Sequence, residues 1–241
     1  MRRIVITALA ICLTSAVFAQ TDTTIARRVL QPKSTRANDN FLLQLGHTSW
    51  IGKPDSINTK GLSRTFNLYL MLDFPFKTNP RWSVAIGPGI ATDNIFFDKM
   101  NVDIKGLTEN LVFSDVSDTI HFKKYKLATA YLEAPVELRY RFNPNDDRKS
   151  VKLAIGAKIG TLVNAHVKGK ELQDGDDNTL NTYTLKENSK RYFNKTRLSV
   201  MARAGYSNFT IFASYAITPV FKEGVAPTVR PFTIGLSLSG L

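Results

Sequence analysis

The chain has 241 residues, with 32 lysines and arginines against 20 aspartates and glutamates, so its formal net charge at pH 7 is +12. This length allows one domain of any fold class, and the basic excess is compatible with an anionic partner. Cys12 is the only cysteine, which excludes a disulfide framework or a multi-cysteine metal site within one chain.

The first 19 residues have the three parts of a secretory signal peptide. A short positive start (MRR) precedes a mostly apolar stretch, and Val17 and Ala19 supply small residues at positions −3 and −1. We therefore predict cleavage before Gln20, which removes two of the 32 basic residues and leaves a net charge of +10. The apolar stretch is shorter than the about 20 residues of a transmembrane helix. Ile11 before Cys12 does not fit a lipoprotein signal, which requires a small residue there.

Residues 20–40 are polar, and we predict that they form a flexible periplasmic lead-in. From residue 41 onward, apolar and polar residues alternate over segments of about ten residues, which is typical of β-strands. Eight segments show this alternation: 41–49, 63–74, 82–96, 126–142, 151–165, 196–206, 209–217 and 231–241. The sequence therefore predicts one all-β domain over residues 41–241.

The connections between these segments alternate in length. Three are short and contain Pro, Asn or Asp where a turn favours them: 75–81, 143–147 and 207–208. Four are longer: 50–62, 97–124, 166–195 and 218–230. Short turns on one side and long loops on the other are typical of bacterial outer-membrane barrels. We therefore predict an eight-stranded antiparallel up-and-down transmembrane β-barrel in the outer membrane.

Alternation alone does not say which face points outward. The polar faces combine charges with glycine and alanine, as expected of a crowded interior rather than a hydrated surface. Aromatic residues lie at segment ends, like the girdles of a membrane barrel: Phe41, Phe66, Phe74, Trp82, Tyr140, Phe142, Tyr206 and Phe232. We therefore predict apolar faces toward lipid and an ion network inside.

The predicted interior network would hold most of the basic excess, which argues against nucleic acid as a partner. Its basic members are Arg139, Arg141, Lys152, Lys158, Arg197 and Arg203, and its acidic members are Asp73, Glu133 and Glu137. An eight-stranded barrel has room inside for side chains only, so these groups must pair with one another or with trapped water.

Segment Tyr131–Phe142 (YLEAPVELRYRF) resembles the Y-L-E-x-P-x-x-L-x-Y-R-F strand of outer-membrane β-barrel proteins of the PorT-like type, which are typical of Bacteroidota. The motif at 87–89 (GPG) and the stretches 218–224 and 230–236 are similar to that group as well. The resemblance implies a barrel without catalytic residues. PorT itself is associated with type IX protein secretion. The chain departs from outer-membrane barrels at Leu241, where those proteins usually end in an aromatic residue.

Few residues suggest chemistry. His47, His121 and His166 lie at no metal-ligand spacing, and Ser49 beside His47 is the only hint of a nucleophile with a base. The acidic stretch 174–178 lacks the glycine and glutamate that an EF-hand loop requires, so we interpret it as a solvated loop. We therefore predict no catalytic residue, no cofactor and no metal site.

The function predicted from these observations is that of a non-enzymatic outer-membrane barrel with a structural or partner-binding role through its long loops, and a link to protein secretion. The expected partners are outer-membrane lipid, including lipopolysaccharide, and an envelope protein, with the barrel itself a monomer. Two alternatives stay open at this point. One is a rim-sited lipid-modifying enzyme with a histidine as base, and the other is a soluble lipocalin-like carrier in the periplasm.

Overall fold

The computed structural model describes residues 41–144 and 149–239. The predicted signal peptide, the predicted lead-in, most of the 143–147 turn and Leu241 lie outside the described residues. Among the described residues, no helix is long and apolar enough to cross a membrane.

The described chain consists of β-strands and their connections. The strands are β1 (Phe41–Ile51), β2 (Arg64–Leu70), β3 (Leu72–Pro75), β4 (Trp82–Ile86), β5 (Gly89–Phe97), β6 (Met100–Asp103), β7 (Val112–Asp115), β8 (His121–Arg141), β9 (Val151–Gln173), β10 (Thr179–Asn188), β11 (Thr196–Tyr206), β12 (Phe209–Ala216) and β13 (Arg230–Ser239). Each of the eight predicted segments coincides with one strand or with two strands in succession.

The antiparallel pairings close into a ring of eight strands. β2 and β3 follow one another in one position of the ring, and β4 and β5 follow one another in the next. The ring continues through β8, β9, β11, β12 and β13, and it closes because β13 pairs with β1 from Leu42↔Ser239 to Ile51↔Arg230. Outside the ring, β6 pairs with β7, and β10 extends the sheet from the far end of β9.

The break between β4 and β5 has a local cause. Pro88 has no N–H, and the backbone at Gly87 approaches its neighbour so closely that a Cβ there would lie 1.6 Å from the carbonyl oxygen of Leu70. Pro135 lies in β8 opposite this break, where Gly87 N donates to its carbonyl oxygen at 3.4 Å. The missing N–H of Pro135 therefore faces the interruption and costs no ladder hydrogen bond.

The apolar faces of the ring point outward, as predicted. Leu236, Ile155 and Ile159 expose 64%, 63% and 57% of their surface, whereas charged residues on the alternate positions are buried. Aromatic side chains cluster at the turn side of the ring, where Tyr140 lies 4.9 Å from Trp82 and 5.1 Å from Phe142 between ring centroids. Charged and polar side chains thus dominate the interior, together with a few buried apolar ones such as Leu42, Met71 and Phe212, and apolar side chains form the outer surface.

The predicted loop over residues 166–195 is wrong over residues 166–188. β9 continues to Gln173 and turns into β10, so that a two-stranded extension rises from the ring. A register shift beside Ala130 leaves Val163 as an extra residue, so Leu162 and Ala165 are both buried. The bulge interrupts the alternation in β9, and β10 is exposed on both faces. The sequence therefore gives no signal for a strand at the far end of β9 or in β10.

Candidate functional site

The centre of the ring holds a buried cluster of four charges. Arg197 donates through Nη2 to Glu133 Oε1 at 2.6 Å and through Nη1 to Asp93 Oδ2. Lys158 Nζ lies 3.8 Å from Glu133 Oε2, and the Tyr69 hydroxyl donates to the same oxygen at 2.7 Å. β2, β5, β8, β9 and β11 each contribute one member, so the cluster ties five strands together across the interior.

A second buried cluster lies toward the short turns. Glu137 accepts from Arg203 Nη2 at 2.6 Å and from Arg139 Nε at 2.8 Å. Asp73 accepts from Arg141 Nη2 at 3.1 Å, and Arg139 Nη1 lies 3.7 Å from it. Each carboxylate therefore has an arginine partner, as buried charges require. The structure brings together the acidic residues and arginines that the sequence predicts for the interior.

Little space is left between these groups. Cavities of about 10 Å³ each lie beside Arg141 and Lys152, beside Lys158 and Arg197, and beside Asp93 and Tyr131. A volume of this size holds about one water molecule. The described interior is therefore filled by its own side chains, with no room beside either cluster for a substrate.

The predicted location of the basic excess is wrong. Among the described residues, the buried interior holds six basic groups and four acidic ones: Arg139, Arg141, Lys152, Lys158, Arg197 and Arg203 against Asp73, Asp93, Glu133 and Glu137. The interior therefore carries two positive charges of the predicted +10, and the rest lies elsewhere. Asp93 is the interior acid that the sequence interpretation missed, although its place on the polar face of the third segment could have revealed it.

At the opposite end from the short turns, the long connections pack into one apolar cluster, which we call the loop cluster. Phe221 is at its centre, with its ring centroid 5.6 Å from that of Trp50 and 5.3 Å from that of Phe193. Other buried members come from each of the four long connections and the strand ends beside them: Ile57, Phe97, Met100, Val102, Ile104, Leu111, Tyr125, Tyr192, Val220 and Val229. The long connections thus share a core of their own.

Hydrogen bonds join these connections to one another. Tyr192 donates to the carbonyl oxygens of Gly106 and Thr108 at 2.7 and 2.8 Å. Asn194 Nδ2 donates to the Phe221 carbonyl at 2.7 Å. Burial raises the pKa of Tyr125 to about 12, so its hydroxyl stays protonated and donates to the Val102 carbonyl at 3.1 Å. The loop cluster is therefore held together by hydrogen bonds as well as by apolar packing.

Residues 32–222 match the family model described as the outer membrane protein beta-barrel domain. The chain belongs to this family. Two solved structures of Ail, the attachment invasion locus protein of Yersinia pestis, are similar over 83% of this chain and 94% of theirs. Ail alone shows 17% identity and a TM-score of 0.38, and Ail in complex with the heparin analogue sucrose octasulfate shows 16% identity and a TM-score of 0.37. No curated protein matches the chain.

Membership of this family places the chain in the outer membrane, as the sequence predicts. The outward apolar face of the ring is then the face of an outer-membrane β-barrel toward lipid. The loop cluster lies at the end of the long connections, and the aromatic side chains around Tyr140 lie at the end of the short turns.

The three histidines of the barrel do not come together. His47 and Ser49 lie on the outward face of β1, and no hydrogen bond of the described residues joins them. His166 lies on the outward face of β9, with Nδ1 3.2 Å from Asn164 Nδ2. The described residues contain no group of three potential metal ligands. The predictions of no catalytic, cofactor or metal site stay predictions.

His121 is buried and held on both sides. Its Nδ1 lies 3.0 Å from the Thr119 carbonyl and its Nε2 lies 3.0 Å from Asp177 Oδ1. Asp177 also accepts from Lys99 at 3.0 Å, and the hydrogen bonds from Lys99 and His121 hold the pKa of its carboxyl below the usual range. These contacts fix the tip of the β9–β10 hairpin against β8 and the β5–β6 turn.

The acidic stretch 174–178 forms the tip of that hairpin. Asp174 Oδ1 accepts from the backbone N–H groups of Asp176 and Asn178 at 3.1 and 2.8 Å, which lowers the pKa of the Asp174 carboxyl. A carboxylate bound in this way stabilises its own turn. The arrangement agrees with the interpretation of this stretch as a loop, and the absence of a calcium site stays a prediction.

Proposed function

We propose that this chain is a closed, non-enzymatic, eight-stranded up-and-down transmembrane β-barrel that presents its loop cluster to a partner outside the cell. In this proposal residues 1–19 direct export, and residues 20–40 lie in the periplasm. The observation that carries it is the combination of an outward apolar face, a filled interior and a shared core of the long connections.

The dimensions of the outward face support membrane crossing. Along β8 and just beyond it, the outward residues from Leu132 to Phe142 are apolar, and the inward ones, apart from Pro135, are charged or polar. Ten residues of β-strand span about 33 Å, which corresponds to about 23 Å across a bilayer at a tilt of 45°. The apolar band of an outer-membrane barrel is about 25 Å tall.

The partner-binding part of the proposal rests on the loop cluster. A rigid surface loses little conformational entropy on binding, so an envelope protein can be held there without prior ordering of the loops. The PorT-like resemblance is the support for a link to protein secretion and for an origin among Bacteroidota. We further propose that the barrel acts as a monomer in contact with outer-membrane lipid and lipopolysaccharide.

The two alternatives differ in how they fit the structure. A lipocalin-like carrier has its apolar face inside, around a ligand cavity. Here the apolar face lies outside and the interior is charged, which argues against that alternative. A rim-sited lipid-modifying enzyme would need His47, His121 or His166 as a base, and replacing each by alanine would abolish lipid A modification only in that case.

Single cysteines test the topology. Leu107, between β6 and β7, exposes 89% of its surface, and Thr78 is exposed in the short connection between β3 and β4. Cys12 lies in the predicted signal peptide, so Leu107→Cys and Thr78→Cys each leave one thiol in the exported chain. We expect a membrane-impermeant maleimide to label Leu107→Cys in intact cells and both variants after lysis.

A gel of purified outer membranes completes the test, with unheated and heated samples side by side. We expect the unheated protein to migrate faster, because a closed barrel resists unfolding by detergent. Labelling of Thr78→Cys but not Leu107→Cys in intact cells would contradict the orientation. Recovery of the protein in the soluble fraction, without a heat-dependent shift, would contradict the barrel itself.

A further inference from the structure

Basic side chains cover one part of the outward face, above the lipid-facing band. Lys126 of β8 pairs with Lys168 of β9, which in turn pairs with Lys186 of β10, and Lys124 pairs with Lys170 in the next row. We call these five residues the lysine patch. Cross-strand partners have Cβ atoms about 4.5–5.5 Å apart, and like charges in such positions are destabilising. The chain therefore brings like charges together in three facing pairs within one small area.

The lysine patch faces sideways rather than into the loop cluster. The residues between its members in sequence, such as Tyr125, Leu127 and Val167, are buried on the inner face. Because side chains alternate between the two faces of a strand, the lysines point outward. Lys126 lies six residues beyond the lipid-facing Leu132, with only the small outward residues Ala128 and Ala130 between them. This separation corresponds to about 14 Å across the bilayer at a strand tilt of 45°.

With Phe142 at the lower edge of the about 30 Å hydrocarbon core, Lys126 lies about 7 Å beyond the upper edge, at the level of the polar headgroups. Phe96 adds an aromatic ring there, and Lys126 Nζ lies 5.6 Å from its centroid. Aromatic and long basic side chains favour this interfacial layer. The lysine patch is thus continuous with the lipid-facing surface and opens toward neighbouring lipids.

The protein itself offers the patch little neutralising charge. Within residues 41–144 and 149–239, none of the five lysines forms an ion pair, and Lys126 Nζ donates instead to Asn94 Oδ1 at 2.6 Å. Burial lowers the pKa of Lys126, and so do the charges of Lys168, Arg64 and Lys170. His166 lies between β8 and β10 in the same region, and burial together with Lys186, Lys126 and Lys168 lowers its pKa. Glu171 is an acidic neighbour of Lys124 and Lys170, and it is already paired with Lys123 at 2.9 Å.

We propose that the lysine patch binds the phosphate groups of lipid headgroups in the outer leaflet. A groove of about 220 Å³, lined by Phe96 and four of the lysines, receives the phosphate, while the acyl chains lie along the apolar face below. A bound phosphate removes the repulsion between the facing lysines. The sideways direction of the groove favours a membrane lipid over a soluble polyanion. This inference rests on the proposed function, because it requires the barrel to lie in a bilayer.

Charge-removing variants test the inference. The patch variant carries Lys124→Gln, Lys126→Gln, Lys168→Gln and Lys170→Gln. The control variant carries the same number of substitutions at exposed lysines away from the patch, at Lys77, Lys105, Lys149 and Lys222. The probe is diphosphorylated lipid A in phosphatidylcholine vesicles, with dephosphorylated lipid A as its matched control, and native mass spectrometry counts the lipid that stays bound to protein extracted from the vesicles.

One basic residue near an anionic surface contributes about a fivefold preference, so the four substitutions should weaken binding of lipid A at least tenfold. The control variant should stay within about twofold of the wild type, and dephosphorylated lipid A should bind the wild type as weakly as lipid A binds the patch variant. A second variant, Lys126→Gln with Lys168→Gln, changes one facing pair alone and should weaken binding at least threefold. If the patch variant does not fold, this second variant tests the inference instead.

Equal binding of lipid A by the patch and control variants would overturn the inference, and so would equal binding of the two lipids by the wild type. Loss of heparin binding in the patch variant, with lipid A binding intact, would assign the patch to a soluble polyanion instead. The heat-dependent gel shift of the same samples separates the two proposals. If the wild type lacks the shift, the proposed function fails, whereas a normal shift with unchanged lipid binding refutes the lysine patch alone.

Discussion

Replacing Arg197 by methionine removes the cation that joins β5 to β8 in the centre of the barrel. In the wild type, Arg197 and Lys158 balance Glu133 and Asp93, and Arg197 also lies 3.8 Å from the ring centroid of Tyr131. The variant leaves the two buried carboxylates with one cation, Lys158, whose Nζ lies 3.8 Å from Glu133 Oε2. Breaking a buried ion pair costs about 3–5 kcal/mol, because the remaining charge has lost its compensation. We expect a loss of that size in the free energy of unfolding.

The double variant Arg197→Met with Asp93→Asn tests the reason for this loss. It restores the balance, with Lys158 facing Glu133, and the new amide keeps an oxygen for the hydroxyl of Thr65, which donates to Asp93 at 2.6 Å in the wild type. We expect it to be more stable than Arg197→Met, with about half of the loss recovered. Urea unfolding in vesicles, followed by the fluorescence of the chain's two tryptophans, measures both values.

The exposed Arg81 provides the control, because Arg81→Met should change stability by less than about 0.5 kcal/mol. An equal effect of Arg197→Met and Arg81→Met would show that the cluster does not hold the strands together. A double variant no more stable than Arg197→Met would show that lost packing, rather than uncompensated charge, causes the loss.

Three further predictions concern other parts of the chain. Leu236 and Leu62 expose 64% and 62% of their surface, but only Leu236 faces lipid. Leu236→Arg should therefore lower the free energy of unfolding in vesicles by about 2–4 kcal/mol, and Leu62→Arg should leave it almost unchanged. Equal effects of the two substitutions would contradict the membrane assignment. Phe221→Ala should remove about 3–5 kcal/mol of packing energy from the loop cluster. The long connections should then become sensitive to protease, while the heat-dependent gel shift persists. The control Leu107→Ala should change neither the protease sensitivity nor the gel shift. Because the pKa of Asp177 is lowered, its contacts stabilise the hairpin tip fully at pH values above the ordinary pKa of 3.8, and this stabilisation is lost as the pH falls through the lowered pKa. Asp177→Asn should therefore show faster hydrogen exchange at the tip at neutral pH. An unchanged exchange rate would argue against Asp177 as the anchor of the tip.

Most of the ring could be predicted because a strand with lipid on one side and a polar interior on the other must alternate apolar and polar residues. Each residue of β8 between Leu132 and Arg141 lies on the face that the alternation predicts, and β11 and β13 agree as well. The choice between an outward and an inward apolar face was harder, since both give the same period. Glycine and alanine beside the charges, as in 152–160, indicate that the polar face points inward and the apolar face outward, because a filled interior needs small residues.

The loop cluster and the lysine patch could not be predicted from the sequence alone. The loop cluster depends on contacts between residues far apart in the chain, such as Trp50 with Phe221, and no local pattern records those contacts. The lysine patch depends on the register between β8, β9 and β10 beyond the bulge at Val163. A one-residue change there moves every following side chain to the other face. Lys168 could not be placed on the outer surface until that register was known.

The closed ring leaves recognition to its surfaces. The carboxylates of its two interior clusters are paired, and the voids beside them hold about one water each, so we expect binding where side chains are fixed but exposed. The loop cluster and the lysine patch both meet this condition. In the proposed orientation they face different surroundings, because the loop cluster lies above the membrane and the lysine patch opens sideways into the headgroups. Their positions make the two proposed roles separable. Substitutions in the patch should change lipid binding without changing the loop surface, and loss of Phe221 packing should do the reverse.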